Sequence, residues 1–207
     1  MKAKVSHLLV SSAVLLVVCV LTGCSAFRYS VGEEDPATSD PLTAKYDQRD
    51  LLAWANLISK DLLDNPFPPA GEDQPILVVM GIQNRTKSHQ DMKAISDTIT
   101  THMLDTGSIR LVNAARRDDL LKEQGYQLAN CTEDTKVKIG RQLGAKYMLT
   151  GSLVEIENES GREVRVSKKQ DVYYQLTVEI TDLETGLIAV RKQRDRLRRA
   201  SKPLIGW

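Results

Sequence analysis

The chain has 207 residues, of which 42% are hydrophobic, 27% charged and only 5% aromatic, with a formal net charge of +1. That length and apolar content suit one globular domain with a largely aliphatic core, plus some sequence outside it. The near-zero net charge excludes a general nucleic-acid binder.

The N-terminus opens with Met1-Lys2-Ala3-Lys4, a short basic region, followed by an apolar stretch over residues 8–21. This is the pattern of a signal peptide, and the stretch is short for a membrane span of roughly 20 residues. It ends in Leu21-Thr22-Gly23-Cys24, which resembles the lipobox of bacterial lipoproteins. There the cysteine thiol takes a diacylglycerol and becomes the mature N-terminus, and the small residues before it admit the peptidase. The expected division is a signal peptide over 1–23, a lipidated and flexible linker over 24–45, and a globular domain over 46–207. Two or more acyl chains give stable anchoring where one does not. Ser25, rather than an aspartate, follows the cysteine; by resemblance to lipoprotein sorting this implies the outer membrane. Of the three cysteines, Cys19 lies in the leader and Cys24 is the lipid acceptor, so Cys131 has no disulfide partner.

Residues 25–45 mix Gly, Pro, Ser, Thr, Asp and Glu without apolar periodicity, as a linker does. A helix capped near Asp47 then carries Leu51, Ala55, Ile58 and Leu62 at helical spacing, and Asn65-Pro66 ends it. Residues 75–82 form a strand apolar on both faces, hence central in its sheet. Asp91 caps a second helix whose stripe is Met92, Ile95, Ile99 and Met103, and Gly107 stops it. A short strand is expected over 108–112 and a short helix over 116–124. A further helix over 133–143 has Thr132 as its cap and Gly144 as its stop.

The last third is β-rich: a strand over 146–157, a turn at Asn158-Glu159-Ser160-Gly161, and a strand over 171–181. In that strand Val172, Tyr174, Leu176, Val178 and Ile180 point one way. Asp182-Leu183-Glu184-Thr185-Gly186 then connects to a final strand from Leu187. The order α-β-α-β-α-α-β-β-β predicts an α/β (α+β) sandwich with a mostly antiparallel sheet of four to five strands flanked by helices.

The chain contains no recognisable catalytic constellation. His89 and His102 have no Cys or second His at ligand spacing, so no metal or other cofactor is expected. Nucleophile elbow, phosphate loop and dinucleotide fingerprint are all missing from the sequence.

Several phrases occur together in order: Ile82-Gln83-Asn84-Arg85-Thr86, Gly107-Ser108-Ile109-Arg110-Leu111-Val112, Gly144-Ala145-Lys146-Tyr147-Met148-Leu149-Thr150-Gly151 and Thr181-Asp182-Leu183-Glu184-Thr185-Gly186-Leu187. From about residue 43 to about residue 199 the chain resembles the LpoB family, outer-membrane lipoprotein activators of bifunctional penicillin-binding proteins. The resemblance implies a fold similar to the TolB N-terminal domain and a non-enzymatic role. A lipoprotein facing the periplasm would bind a class A penicillin-binding protein and raise its activity as a peptidoglycan synthase. The other reading is a structural or assembly lipoprotein of the envelope, related to CsgG-type secretion components. The chain departs from many family members in its short linker and in Ala189-Val190-Arg191-Lys192 after the Thr-Gly turn.

Two sets of residues are candidates for touching a partner. Tyr173, Gln175 and Glu179 form the second row of the penultimate strand; this row either faces a partner or lies under helices with Tyr173 in the core. Residues 187–207 hold seven basic residues against one acid. In that run Arg191, Arg194 and Arg196 either meet an acidic partner, peptidoglycan carboxylates or anionic lipid, or protect the edge of the sheet.

Overall fold

The computed structural model describes residue 33 and residues 35–40, 43–64, 67–159 and 167–203. The expected leader, Cys24 and most of the expected linker lie outside those residues. The chain divides into two units, Met1–Asp35 and Pro36–Trp207; the elements below belong to the second.

Helix α1 (Gln48–Asp64) starts at a reciprocal cap. The Asp50 amide donates to Asp47 Oδ1 at 3.1 Å, and the Asp47 amide donates to Asp50 Oδ2 at 3.1 Å. Its buried face is Trp54, Ala55, Ile58 and Leu62, while the expected Leu51 is only half-buried. Helix α2 (Met92–Asp105) begins where the Asp91 carboxylate accepts from the amides of Lys93 and Ala94, and its whole expected stripe is buried. Both helices pack on one face of a five-stranded sheet. Helices α3 (Ala114–Glu123) and α4 (Glu133–Gln142) supply Leu121 and Ile139 to a smaller core. That core also takes Val78, Met80 and Met148 from the sheet's other face. Asn113 and Thr132 cap them, and a 3-10 turn, Leu128–Asn130, lies between.

Strand β1 (Ile76–Arg85) serves both cores, as its apolar run implied. Leu77 and Val79 face α1 and α2, whereas Val78 and Met80 face α3 and α4. A bulge then changes the parity. Val79 pairs with Leu149 and Ile82 with Gly151, so Met80 and Gly81 together oppose one residue. Gly81 has φ +91°, a conformation glycine adopts without steric penalty. The bulge returns Ile82 to the face of Leu77, where it is buried.

Strand β2 is only Arg110–Leu111, shorter than expected. After Val112 donates to Leu77 O at 2.9 Å, Asn113 turns the chain into α3. Strands β3 (Tyr147–Glu159), β4 (Ser167–Asp182) and β5 (Ile188–Pro203) complete the order β2-β1-β3-β4-β5. The sheet is therefore mixed. β1 runs parallel to β2 and β3, and the longer β3–β4 and β4–β5 ladders are antiparallel. The turn expected at Asn158 is displaced: Asn158 and Glu159 still pair with Asp171 and Gln170, and Ser160 and Gly161 lie outside the described residues. No helix among the described residues is long and apolar enough to cross a membrane.

Candidate docking face

Side chains alternate along a strand, and cross-strand partners point the same way. On β4, Val172, Tyr174, Leu176, Val178 and Ile180 are all buried against α1 and α2. Tyr173, Gln175, Thr177 and Glu179 therefore share the opposite face, and each is half-buried. Among the described residues, the core under α3 and α4 takes Val78, Met80 and Met148 from that face, and Leu183 from just after β4. Tyr173 is half-buried and belongs to neither core, and among the described residues it is part of an open sheet surface.

The register places an apolar row across three strands of this surface. Ile156 of β3 pairs with Tyr173 of β4, and Tyr173 pairs with Leu197 of β5. Ile156 is 50% exposed and Leu197 61%. Directly opposed residues on one face lie about 4.5–5.5 Å apart at Cβ, so the three side chains form one patch. Gln175 Nε2 donates to the Tyr173 hydroxyl at 3.0 Å. Desolvation, aided by a hydrogen bond to Asp195, raises the Tyr173 pKa. Ion pairs flank the row on both sides. Arg199 grips Asp171 with two nitrogens at 2.6 and 2.7 Å and lowers its pKa, and Arg191 Nε lies 2.7 Å from Glu179.

The basic run of β5 divides by the same parity. Arg191 and Arg199 are on the open face. Arg194, Arg196 and Arg198 lie on the inner face and meet acids of α1. Arg194 pairs with Asp61, and Arg196 with Asp50. Arg198 lies 3.0 Å from both Asp47 and Asp50 and donates to Lys45 O at 2.7 Å. Each arginine of residues 191–199 thus has a carboxylate partner within the chain. The inner-face arginines of this run fasten the last strand to the first helix, so Arg194 and Arg196 do not share a surface with Tyr173.

Among the described residues no group of three His, Cys, Asp or Glu side chains is arranged to hold a metal. His102 Nδ1 lies 3.1 Å from the Ser59 hydroxyl, but Ser59 is 1% exposed and donates to Ala55 O. The pair is a contact between α1 and α2. Cys131 is a half-buried free thiol packed against the smaller core.

A family model described as peptidoglycan-synthase activator LpoB matches residues 50–194. The chain belongs to the LpoB family. The LpoB C-terminal domain from Escherichia coli superposes with a TM-score of 0.52 at 19% identity, over 71% of this chain and 98% of that one. The LpoB C-terminal domain from Salmonella enterica gives 0.49 at 21% identity, over 69% and 93%. The solution structure of E. coli LpoB gives 0.48 at 18% identity, over 85% and 81%. A search of curated protein sequences finds no match.

The LpoB family match reaches from α1 into β5 and includes Tyr173, Gln175, Glu179, Arg191 and Arg194. The family is one of synthase activators and not a catalytic one. Sequence reasoning missed Ile156 and Leu197. Each sits in a stretch that alternates, but their meeting across Tyr173 depends on register between strands, which single-strand periodicity does not carry. It also missed the acids of α1, because Asp47, Asp50 and Asp61 are more than 130 residues away in sequence from the arginines they hold.

Proposed function

We propose that the protein is a periplasmic lipoprotein, anchored in the outer membrane through acylated Cys24, that binds and activates a class A penicillin-binding protein. Residues 1–23 are the signal peptide, 24–45 the lipidated N-terminus and linker, and 46–207 the activating domain. The observation that carries this reading is the family match over the domain bearing the open face. Tyr173 with Ile156 and Leu197 forms the centre of the docking surface, and Gln175, Glu179 and Arg191 form part of its polar surround. An aromatic anchor amid paired charges is the usual make-up of such an interface.

The activator performs no reaction. It raises synthase activity by binding the active state of that enzyme more tightly than the resting state, which shifts its population. Arg194 and Arg196 are held by Asp61 and Asp50, and on this reading they support the domain's integrity.

The test is polymerisation of lipid II by each class A synthase of the same organism, with and without the purified full-length protein. A rise in rate with at least one synthase is expected, and unchanged rates across all of them would overturn the proposal.

A further inference from the structure

The bulge in β1 decides which way Arg85 points. Leu77 belongs to the core under α1 and α2, and plain alternation from it would turn Arg85 to the same inner side. The extra residue between Val79 and Ile82 reverses that parity. Ile82 and Asn84 take the inner side, opposite Gly151 and the buried Leu153, and Gln83 and Arg85 take the open one. Two features hold the bulge in place. Gly81 supplies φ +91°, and Arg117, only 9% exposed, donates through Nη1 to the Val79 carbonyl.

Arg85 starts a row that crosses four strands. It pairs with Val154, Val154 with Gln175, and Gln175 with Asp195. This row runs beside Ile156, Tyr173 and Leu197, one step along β3, β4 and β5 on the same face. Three strand spacings separate its ends, roughly 14 Å at ~4.8 Å each. The charges of the open face are not all alike. In the rows from Thr150–Glu179–Arg191 to Asn158–Asp171–Arg199, Glu179 pairs with Arg191 and Asp171 with Arg199. The other charged side chains there are Arg85 and Asp195, both exposed. Among the described residues neither has an opposite charge within ion-pair distance. Asp195 accepts from neutral donors, Gln193 Nε2 at 3.2 Å and the Tyr173 hydroxyl.

We infer that Arg85 and Asp195 orient the bound synthase, whose surface carries a carboxylate to meet Arg85 and a basic side chain to meet Asp195. This rests on the activator reading above, and it adds the charge pattern of the partner to that reading. Free charges of opposite sign at the two ends of one row accept a partner in one orientation. Half a turn of the partner sets like charges against each other. Anionic lipid would match Arg85 and be repelled by Asp195. A second copy stacked face to face about a two-fold axis would satisfy both ends, and the family's action on a synthase favours the synthase instead.

The test measures binding of the full-length protein to the immobilised synthase at low and at high salt. Melting temperature, solution mass and flotation on phosphatidylethanolamine–phosphatidylglycerol vesicles are measured beside it. Arg85→Glu and Asp195→Lys are each expected to bind roughly tenfold more weakly at low salt, chiefly through slower association. The loss should shrink at high salt, with melting unchanged. Arg85→Gln and Asp195→Asn should lose less. Unaltered affinity in either reversal would overturn the orienting pair while leaving the activator reading in place. So would a loss that is equal at both salt concentrations or that follows a fall in melting temperature. Unaltered affinity with lost flotation, or with a halved solution mass, would overturn it in favour of lipid or of a second copy. Failure of the unsubstituted protein to bind any synthase would overturn the activator reading and this inference together.

Discussion

Asp50 of α1 and Arg198 of β5 meet across the helix–sheet boundary, with Oδ1 3.0 Å from Nη2 and the carboxylate 1% exposed. Arg196 pairs with the same oxygen from two residues away on the strand. Asp50 also accepts the Asp47 amide, so a single buried carboxylate caps the helix and ties the last strand to the first helix.

Removing Asp50 leaves two arginines without their shared acid. Asp50→Ala is expected to destabilise the domain by about 3 kcal/mol, the typical cost of breaking a buried ion pair from one side. Urea denaturation measures this. Asp61→Ala, whose carboxylate is 29% exposed, should cost less.

The open-face Tyr173 and the inner-face Arg194 make opposite predictions about binding. Tyr173→Ala should weaken synthase affinity roughly tenfold with little change in the unfolding midpoint. Arg194→Ala should lower the midpoint and leave affinity nearly unchanged. A titration of the synthase with each variant, beside its melting curve, separates the two effects.

Gly151 of β3 pairs with Val178 of β4 and leaves no room for a side chain. An added Cβ would lie 2.4 Å from the Thr177 carbonyl oxygen and 3.3 Å from Ile82 Cγ1. Neither strand can move without breaking its ladder, so Gly151→Ala is expected to cost about 1–3 kcal/mol, read as a fall of several degrees in melting temperature.

Tyr46 should make the protein sensitive to alkali. Burial, with Asp47 adding to it, raises the pKa of this phenol well above its ordinary 10.0, and burial raises that of Tyr174 as well. The folded state therefore keeps both phenols neutral. Their contribution is complete below pH 10 and is lost as pH rises above it, because the unfolded chain ionises first. The Tyr46 hydroxyl has no hydrogen-bond partner among the described residues. Tyr46→Phe is expected not to lower stability at neutral pH and to flatten its decline between roughly pH 9 and 12. Urea midpoints across that range check both statements.

Cys24→Ser should abolish lipid attachment in cells. The substituted protein is expected to leave the membrane fraction and to lack the mass of the acyl chains, by mass spectrometry of the purified chain.

Local order was legible residue by residue. Asp91, with Met92, Ile95, Ile99 and Met103, marked a helix whose cap and buried stripe both form as read. The alternation through Val172 and Ile180 assigned the buried row of β4, and by exclusion the Tyr173 row. Trp54 was missed because Leu51 fits the same helical stripe equally well; the Tyr46 and Tyr174 rings, 5.4 and 6.4 Å from the indole at their centroids, are what bury it. The parallel pairing of β1 was missed because strand direction depends on how the chain crosses between strands, and periodicity is blind to that.

What the sequence alone determined is much of what near neighbours set: the order of helices and strands, the caps at Asp91 and Thr132, and which residues of a strand share a face. Tertiary structure alone decided whether the Tyr173 row is open, since that depends on how far α3 and α4 extend over the sheet. It also decided the fate of the basic run, whose Arg194, Arg196 and Arg198 pair with acids at α1 and whose Arg191 and Arg199 pair with acids of β4. Periodicity follows the geometry of one element and is written along the chain, whereas ion pairs and sheet register join residues that only folding brings together.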